Sequence, residues 1–405
     1  MSSTQPNDSP LAFEPRKPGA RIDFSMGGLV YCAMMLFMGL AAINTQANLL
    51  FGVFGLMIGV LLLAWYVGRR VLRHLEVRRV IPPHAIVGTG ITFEYVFTNT
   101  KKFWPSLSVG LLEIDGVGGF EKRPRCYMLH AAAGMTARVQ SQVQPARRGL
   151  YRLDHFELTT SFPFGFVRRR RRQRLEDSLL IFPPIAQVDR KLLAMCRSAD
   201  DTGESLRPSP GGSDEFYGIR RYRAGDNPRR IYWRRSARTG VLLTKEMTRV
   251  APPRLLIVVD TQLEHRTRQD HALLERAIAI AASLSSAALE DGLAVGVCVW
   301  NGKPVVLAPS RGKQQREDIL SLLAQLPLNL DYQRQALMED SRPALRPNTT
   351  TVLVTGSDVK LDFLEEARGS VMLLSAANRD VDRWFAFPAT IDFAKCGPAD
   401  QLPQD

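Results

Sequence analysis

Residues 24–68 run for forty-five positions without one Asp, Glu, Lys, Arg or His. A spanning helix needs about 20 apolar residues, so this run predicts two helices, 26–43 and 49–67. The polar bridge Asn44-Thr45-Gln46-Ala47-Asn48 is short enough to join them as a hairpin. A cleaved signal peptide would show a basic start, one shorter apolar region and a small-residue cleavage site; here a second full-length apolar segment follows the first. From residue 75 to about 182 the pattern changes to short alternating runs (91–97, 108–114, 136–143, 151–159) separated by Gly, Pro and Asn, which predicts an antiparallel β-sandwich. From Arg254 onward, strand-like runs at 255–260, 294–300, 304–307, 351–355 and 370–374 alternate with helical periods at 269–289, 313–326 and 361–368. Strands separated by helices predict a doubly wound, largely parallel α/β sheet.

Charge fixes an expected orientation. Arg16, Lys17 and Arg21 precede the apolar run, Arg69, Arg70, Arg73, Arg78 and Arg79 follow it, and the bridge has no basic residue. The positive-inside tendency then places both termini in the cytoplasm, and with them the residues after the hairpin. The net charge of +13 and pI of about 9.8 favour anionic surfaces, lipid or nucleic acid. Five cysteines, scattered and odd in number, suggest neither a disulfide framework nor a zinc site and suit a reducing compartment.

Two stretches concentrate the remaining charge. Arg168 to Arg174 holds six arginines in seven positions. Clustered basic residues near a membrane attract anionic lipid; on a strand edge they are solvated and discourage edge pairing; phosphate neutralisation on a nucleic acid ranks third. The second stretch, 213–249, carries ten Lys or Arg against four Asp or Glu, with Tyr222, Ile231, Trp233, Leu242 and Leu243 threaded among them. A disordered basic arm would lack those residues, so the stretch is folded. Its pattern predicts a strand at 216–222, then Asp226 capping a short helix with Pro228 in its first turn. That helix carries Ile231, Trp233 and Ala237, ends near Gly240, and leads to a strand at 241–245. Asp226 is expected as a cap paired to Arg229 or Arg230, the other reading being an acid that helps bind a partner or a phosphate. Trp233 is expected as a packed anchor between strand and helix.

The run Gly218-Ile219-Arg220, Tyr222, Gly225-Asp226, Arg229-Arg230-Ile231, Trp233, Ser236-Ala237-Arg238 resembles the signature of the bacterial domain of unknown function 58 family. Arg221 stands where members often carry Glu before the Tyr, which removes one carboxylate from any ion-pair network there. Arg147-Arg148-Gly149-Leu150-Tyr151 and Ser161-Phe162-Pro163-Phe164-Gly165-Phe166 resemble the β-domain of the same family, with 163–165 expected as a turn packing its aromatics on the sandwich edge. The resemblance implies a cytoplasmic tail (1–23), a transmembrane hairpin (24–68), a β-sandwich (69–182), a linker (183–212), the signature (213–250), a von Willebrand A-like α/β domain (251–395) and a short tail (396–405). It implies a two-pass protein of the bacterial inner membrane. It also implies partners: an AAA+ ATPase of the MoxR type, and a membrane protein with a transglutaminase-like domain. Arg220, Tyr222, Gly225, Asp226, Arg229, Arg230, Trp233, Ser236 and Arg238 would then divide between folding and docking.

Candidate chemistry is sparse. Open α/β sheets bind ligands at the carboxyl ends of their strands, and von Willebrand A domains place Asp-x-Ser-x-Ser there for magnesium. This chain has Asp260-Thr261-Gln262-Leu263-Glu264, with long side chains at both serine positions, and Asp358 as a second carboxylate near the strand ending at Thr355. Hard cations favour several small oxygen ligands, so no tight metal binding is expected; magnesium at a degenerate site is the one cofactor left open. The sequence contains neither GxxxxGK[ST] nor GxSxG. A membrane-anchored scaffold that docks the ATPase ranks first. A metal-dependent enzyme acting on phosphate esters through Asp226, Asp260 and the arginines follows, then a nucleic-acid binder using 168–174.

Overall fold

The structure, a computed structural model, describes residues 21–198, 210–223, 225–248, 254–262, 267–327, 337, 349–357 and 371–398. It forms two compact units. One comprises residues 1–85, 89–146 and 150–181, the other residues 86–88, 147–149 and 182–405.

The first unit begins with a strand, β1 (Arg21–Phe24), where the sequence pattern places the end of a tail. Two helices follow, α1 (Met26–Thr45) and α2 (Asn48–Val71), each longer than its apolar core. Ser25 caps α1 by accepting from the Gly28 amide, and Gln46 closes it in the left-handed conformation. The Tyr31 hydroxyl donates to the Met57 carbonyl at 3.0 Å, tying the two helices together. Both are long and apolar enough to cross a bilayer, and only 17% and 11% of their apolar windows is buried. A third helix, Arg268–Glu290, meets the same length and composition criteria, but 72% of its window is buried inside the other unit, which makes it a core helix.

The β-domain of this unit consists of β2 (Leu75–Val80), β3 (His84–Ile86), β4 (Ile91–Asn99), β5 (Ser106–Glu113), β6 (Arg125–Ala131), β7 (Thr136–Val143), β8 (Gly149–Thr160) and β9 (Val167–Phe182). One sheet has the order β1-β9-β8-β5-β6 with β3 also beside β9; the other is β2-β4-β7. The β1–β9, β2–β4, β4–β7, β5–β6 and β5–β8 pairs are antiparallel, and period two works as expected: Phe93, Tyr95 and Phe97 of β4 are buried on one face. The arginine run is the first half of β9, paired with β1 in the register Arg169↔Ile22 and Arg170↔Arg21. The turn after β8 does more than cover a sandwich edge: Phe166 stacks on Tyr31 of α1 with ring centroids 4.3 Å apart, and the Ser25 hydroxyl donates to the Gly165 carbonyl.

A buried ion pair joins the two sheets. Arg79 of β2 donates from Nε and Nη2 to the two carboxylate oxygens of Glu113 on β5, both at 2.9 Å, and from Nη1 to Asp177 Oδ2 at 2.8 Å. The Tyr95 hydroxyl donates to Glu113 Oε1 at 2.9 Å. Burial raises the Glu113 carboxyl above the usual carboxylate range and Arg79 pulls it back down. Removing one partner of such a pair strands the other charge, at about 3–5 kcal/mol. Arg79→Met is therefore expected to lower the urea midpoint of the β-domain transition in the detergent-solubilised chain, and adding Glu113→Gln should recover part of the loss. An additive loss in the double variant would show that the two residues are not coupled.

The second unit contains β10 (Gln187–Val188), α3 (Arg190–Ser198), β11 (Pro210–Arg221), α4 (Trp233–Thr239), β12 (Leu243–Thr248), β13 (Arg254–Asp260), α5 (Arg268–Glu290), β14 (Ala294–Trp300), β15 (Pro304–Ser310), α6 (Lys313–Ala324), β16 (Thr349–Thr355), β17 (Val371–Ser375) and β18 (Phe385–Ala386). Its main sheet has the order β15-β14-β13-β16-β17, parallel except for the β14–β15 pair. β13 lies at the centre, and 255–260 are all buried, as expected of a strand covered on both faces. The helix expected at 361–368 lies outside the described residues. α5 is buried nearly all round, and its Ser283 and Ser285 hydroxyls donate to carbonyls one turn back at 2.6 Å. Arg148, with no exposed side-chain surface, forms a two-pronged pair with Glu275 of α5 at 2.8 and 2.9 Å and donates to the Leu323 carbonyl at 2.6 Å.

Candidate functional site

β11 and β12 form a two-stranded antiparallel ribbon, and the signature residues fill the connection between them. Arg220 reaches across the turn to Asp226 with both prongs, Nη1 to Oδ2 and Nη2 to Oδ1, each at 2.7 Å. The Arg223 amide donates to Asp226 Oδ2 at 2.9 Å, and the Tyr222 hydroxyl donates to the Asp226 carbonyl at 3.3 Å. Gly225 occupies the left-handed region (φ 102°), which lets the chain turn back tightly enough for these contacts.

Asp226 is thus not the helix cap that the sequence suggested, and its cation is Arg220, not Arg229 or Arg230. Asn227 is the cap: its side chain accepts from the Arg229 amide at 3.0 Å over a 3-10 turn at Pro228–Arg230. The single helix expected from Pro228 to Gly240 is split into that turn and α4, which Gly240 closes in the left-handed conformation. Arg220 and the Arg223 amide hold the Asp226 carboxyl below its usual range.

The packed anchor is Ile231, not Trp233. Ile231 is 9% exposed and bridges Thr244 of β12, whereas Trp233 is 63% exposed. Trp233 is the first residue of a helix only seven residues long. The inward position of that helix belongs to Ser236, whose hydroxyl accepts from the Leu243 amide at 2.9 Å and donates to the Tyr232 carbonyl at 3.0 Å. Arg229, Arg234, Arg235, Arg238, Val241 and Leu242 are exposed as well, and Arg230 is half-buried. Of the nine signature residues proposed, Arg220, Tyr222, Gly225, Asp226 and Ser236 build the turn. Arg229, Trp233 and Arg238 face outward.

At the carboxyl end of β13 the register sets Asp260 opposite Thr355 of β16. The Thr355 hydroxyl donates to Asp260 Oδ2 at 3.1 Å, the Gln262 amide donates to Oδ1 at 3.1 Å, and Ser357 Oγ lies 3.3 Å from Thr355 Oγ1. The sequence reading found Asp260 but no threonine beside it; the clue was that β13 and β16 both end at these positions. Asp358 and Glu264 lie outside the described residues. The described group offers one carboxylate and several hydroxyls, with Asp260 accepting from its neighbours, and no chemical step follows from it.

An apolar helical hairpin long enough to cross a bilayer, an antiparallel β-domain, a largely parallel α/β sheet and a two-stranded ribbon with a basic connecting turn define a multidomain protein. Residues 218–375 match the family described as "Protein of unknown function DUF58", so this stretch, signature included, is a domain of that family. No curated protein matches the chain. Among solved structures the chain is similar to the beta-glucosidase from Listeria innocua in complex with glucose, at 12% identity over 26% of this chain and 16% of that one, with a TM-score of 0.17. A likeness that small bears on neither fold nor function.

The depressed Asp226 carboxyl gives the turn a pH signature. Its contribution is fully present above the unfolded value of about 3.9 and is lost as pH falls through the lower folded value. The fluorescence difference between the wild type and Trp233→Phe should be flat down to pH 4 and change below it, and Asp226→Asn should abolish that acid step. An unchanged step in Asp226→Asn would assign it to another group.

Proposed function

We propose that the chain is a two-pass, cytoplasm-facing scaffold of the inner membrane whose signature docks an AAA+ ATPase of the MoxR type. The observation that carries this reading is Trp233, 63% exposed on a helix whose neighbours Arg229, Arg234, Arg235 and Arg238 are also exposed. A large aromatic left in water on a braced element, ringed by arginines, has the composition of an interface hot spot. The arginines favour an acidic partner face, which steers encounter and register.

The α/β unit suits the von Willebrand A-like part of this reading, with β13 central between parallel neighbours and an antiparallel edge at β15. The apolar hairpin with basic flanks supports the anchoring and orientation. The link to envelope assembly or remodelling, and to a transglutaminase-like membrane protein, comes from the family likeness.

The test separates folding from docking. Trp233→Ala is expected to leave the thermal midpoint of the full chain within the range of a surface change, about 0.5 kcal/mol. It should weaken binding to the ATPase hexamer by about 2 kcal/mol or more, measured with ATP and without. Arg238→Ala should behave alike with a smaller effect, while Ile231→Ala should destabilise the chain by about 2–5 kcal/mol. An ATPase that binds Trp233→Ala and Arg238→Ala as well as the wild type would sink the docking surface.

A further inference from the structure

At the C-terminal end of α2 the first unit opens into a cleft of about 1680 Å³, larger than the ~300–1,000 Å³ usual for small-molecule sites. Seven arginines line it against three carboxylates, Glu76, Asp115 and Asp154. Asp115 is engaged by His155, whose Nδ1 lies 2.7 Å from Asp115 Oδ2. Most of the arginines also have partners: Arg170 pairs with Asp23 at 3.0 Å, Arg172 approaches Glu157 at 3.6 Å, Arg174 pairs with Glu176, and Arg171 donates to the Leu72 carbonyl at 2.9 Å.

Arg169 is different. It is 8% exposed and its Nε, like that of Arg170, meets no hydrogen-bond partner; but where Arg170 has Asp23 beside it, no described carboxylate pairs with Arg169. Three of the carbonyls that a basic residue would ordinarily find at this helix C-terminus already accept from other side chains. Lys101 donates to the Arg70 and Val71 carbonyls at 3.0 and 2.8 Å, and Arg171 takes Leu72. The Arg169 guanidinium rests 5.4 Å above the Trp65 ring, and burial together with nearby Arg69 pulls its pKa down. A buried cation beside a like charge and without an acid is costly unless an anion enters.

The depth of the cleft identifies the anion. α2 is uncharged up to Gly68; Trp65 and Tyr66 are exposed just before its end, and the Arg70 guanidinium lies 5.3 Å over Tyr66. Such aromatic and basic residues mark headgroup level. We propose that this cleft binds the phosphate of an anionic phospholipid headgroup, with Arg169 as the buried donor and Arg69 and Arg73 at its mouth. Guanidinium groups suit this role because they meet phosphate oxygens with two parallel donors. The site rests on the anchoring of α1 and α2 in a bilayer and is independent of ATPase docking.

The test uses the full chain in a neutral detergent, with dioctanoyl phosphatidic acid, dioctanoyl phosphatidylcholine and inorganic phosphate as probes. Phosphatidic acid should raise the thermal midpoint and phosphatidylcholine should not. Arg169→Gln and Arg69→Gln should each weaken that response by about tenfold or more, while Arg168→Gln, an exposed position outside the cleft lining, should respond as the wild type does. Arg69 is exposed, so its variant carries the test if Arg169→Gln does not fold. An equal response to phosphatidylcholine, or an equal loss in Arg168→Gln, would overturn the site. Inorganic phosphate as effective as phosphatidic acid would overturn the lipid assignment. Alkaline carbonate treatment of membranes separates the two readings: release of the chain would overturn the anchoring, whereas a retained chain blind to phosphatidic acid would overturn the site alone.

Discussion

A guanidinium withdrawn from water must meet an acceptor, and much of this chain is arranged around that requirement. In the β-domain Arg79 is enclosed by Glu113, Asp177 and the Leu153 carbonyl, which ties β2 to β5, β8 and β9. In the α/β unit Arg148 is fixed by Glu275, with the Cys396 carbonyl accepting from its amide at 2.9 Å. Packed apolar residues would stabilise either position as well or better. What the charged pairs add is direction, since each guanidinium fits only where its acceptors converge. Against this background Arg169, 8% exposed and without an acid among the described residues, is the exception.

The same requirement acts nearer the surface in the signature. A two-stranded ribbon is marginal by itself, and β11 and β12 gain support from a connection that folds back on them. Arg220 closes on Asp226, Ile231 covers Thr244, and Ser236 holds the Leu243 amide. These contacts use one side of the segment. The other side, Trp233 included, is largely exposed.

The apolar hairpin was legible because forty-five uncharged residues admit few other structures. The period-two runs of the β-domain and the buried β13 were equally plain. What sequence spacing could not supply was the partner of a charge. Arg220 and Asp226 are six residues apart across a turn, a spacing that belongs to no helix face, so the nearer Arg229 and Arg230 looked like better matches. Arg148 and Glu275 are separated by 127 positions, and nothing local in Arg147-Arg148-Gly149 announces a buried pair. Trp233 was misplaced for a related reason. Hydrophobic size argues for burial, but a seven-residue helix has only about two turns; Ser236 takes its inward position, and Ile231, just before the helix, is the packed residue.

That misplacement bears directly on function. Had Trp233 been the anchor, the signature would need it for folding and its presence would say little about partners. With Ile231 in that place, Trp233 stands largely exposed, where Ala or Lys would satisfy helix propensity at least as well. Val241 and Leu242 are exposed as well. On the docking reading proposed above, a largely exposed tryptophan on a braced turn, with exposed arginines nearby in the sequence, is what a partner would cover.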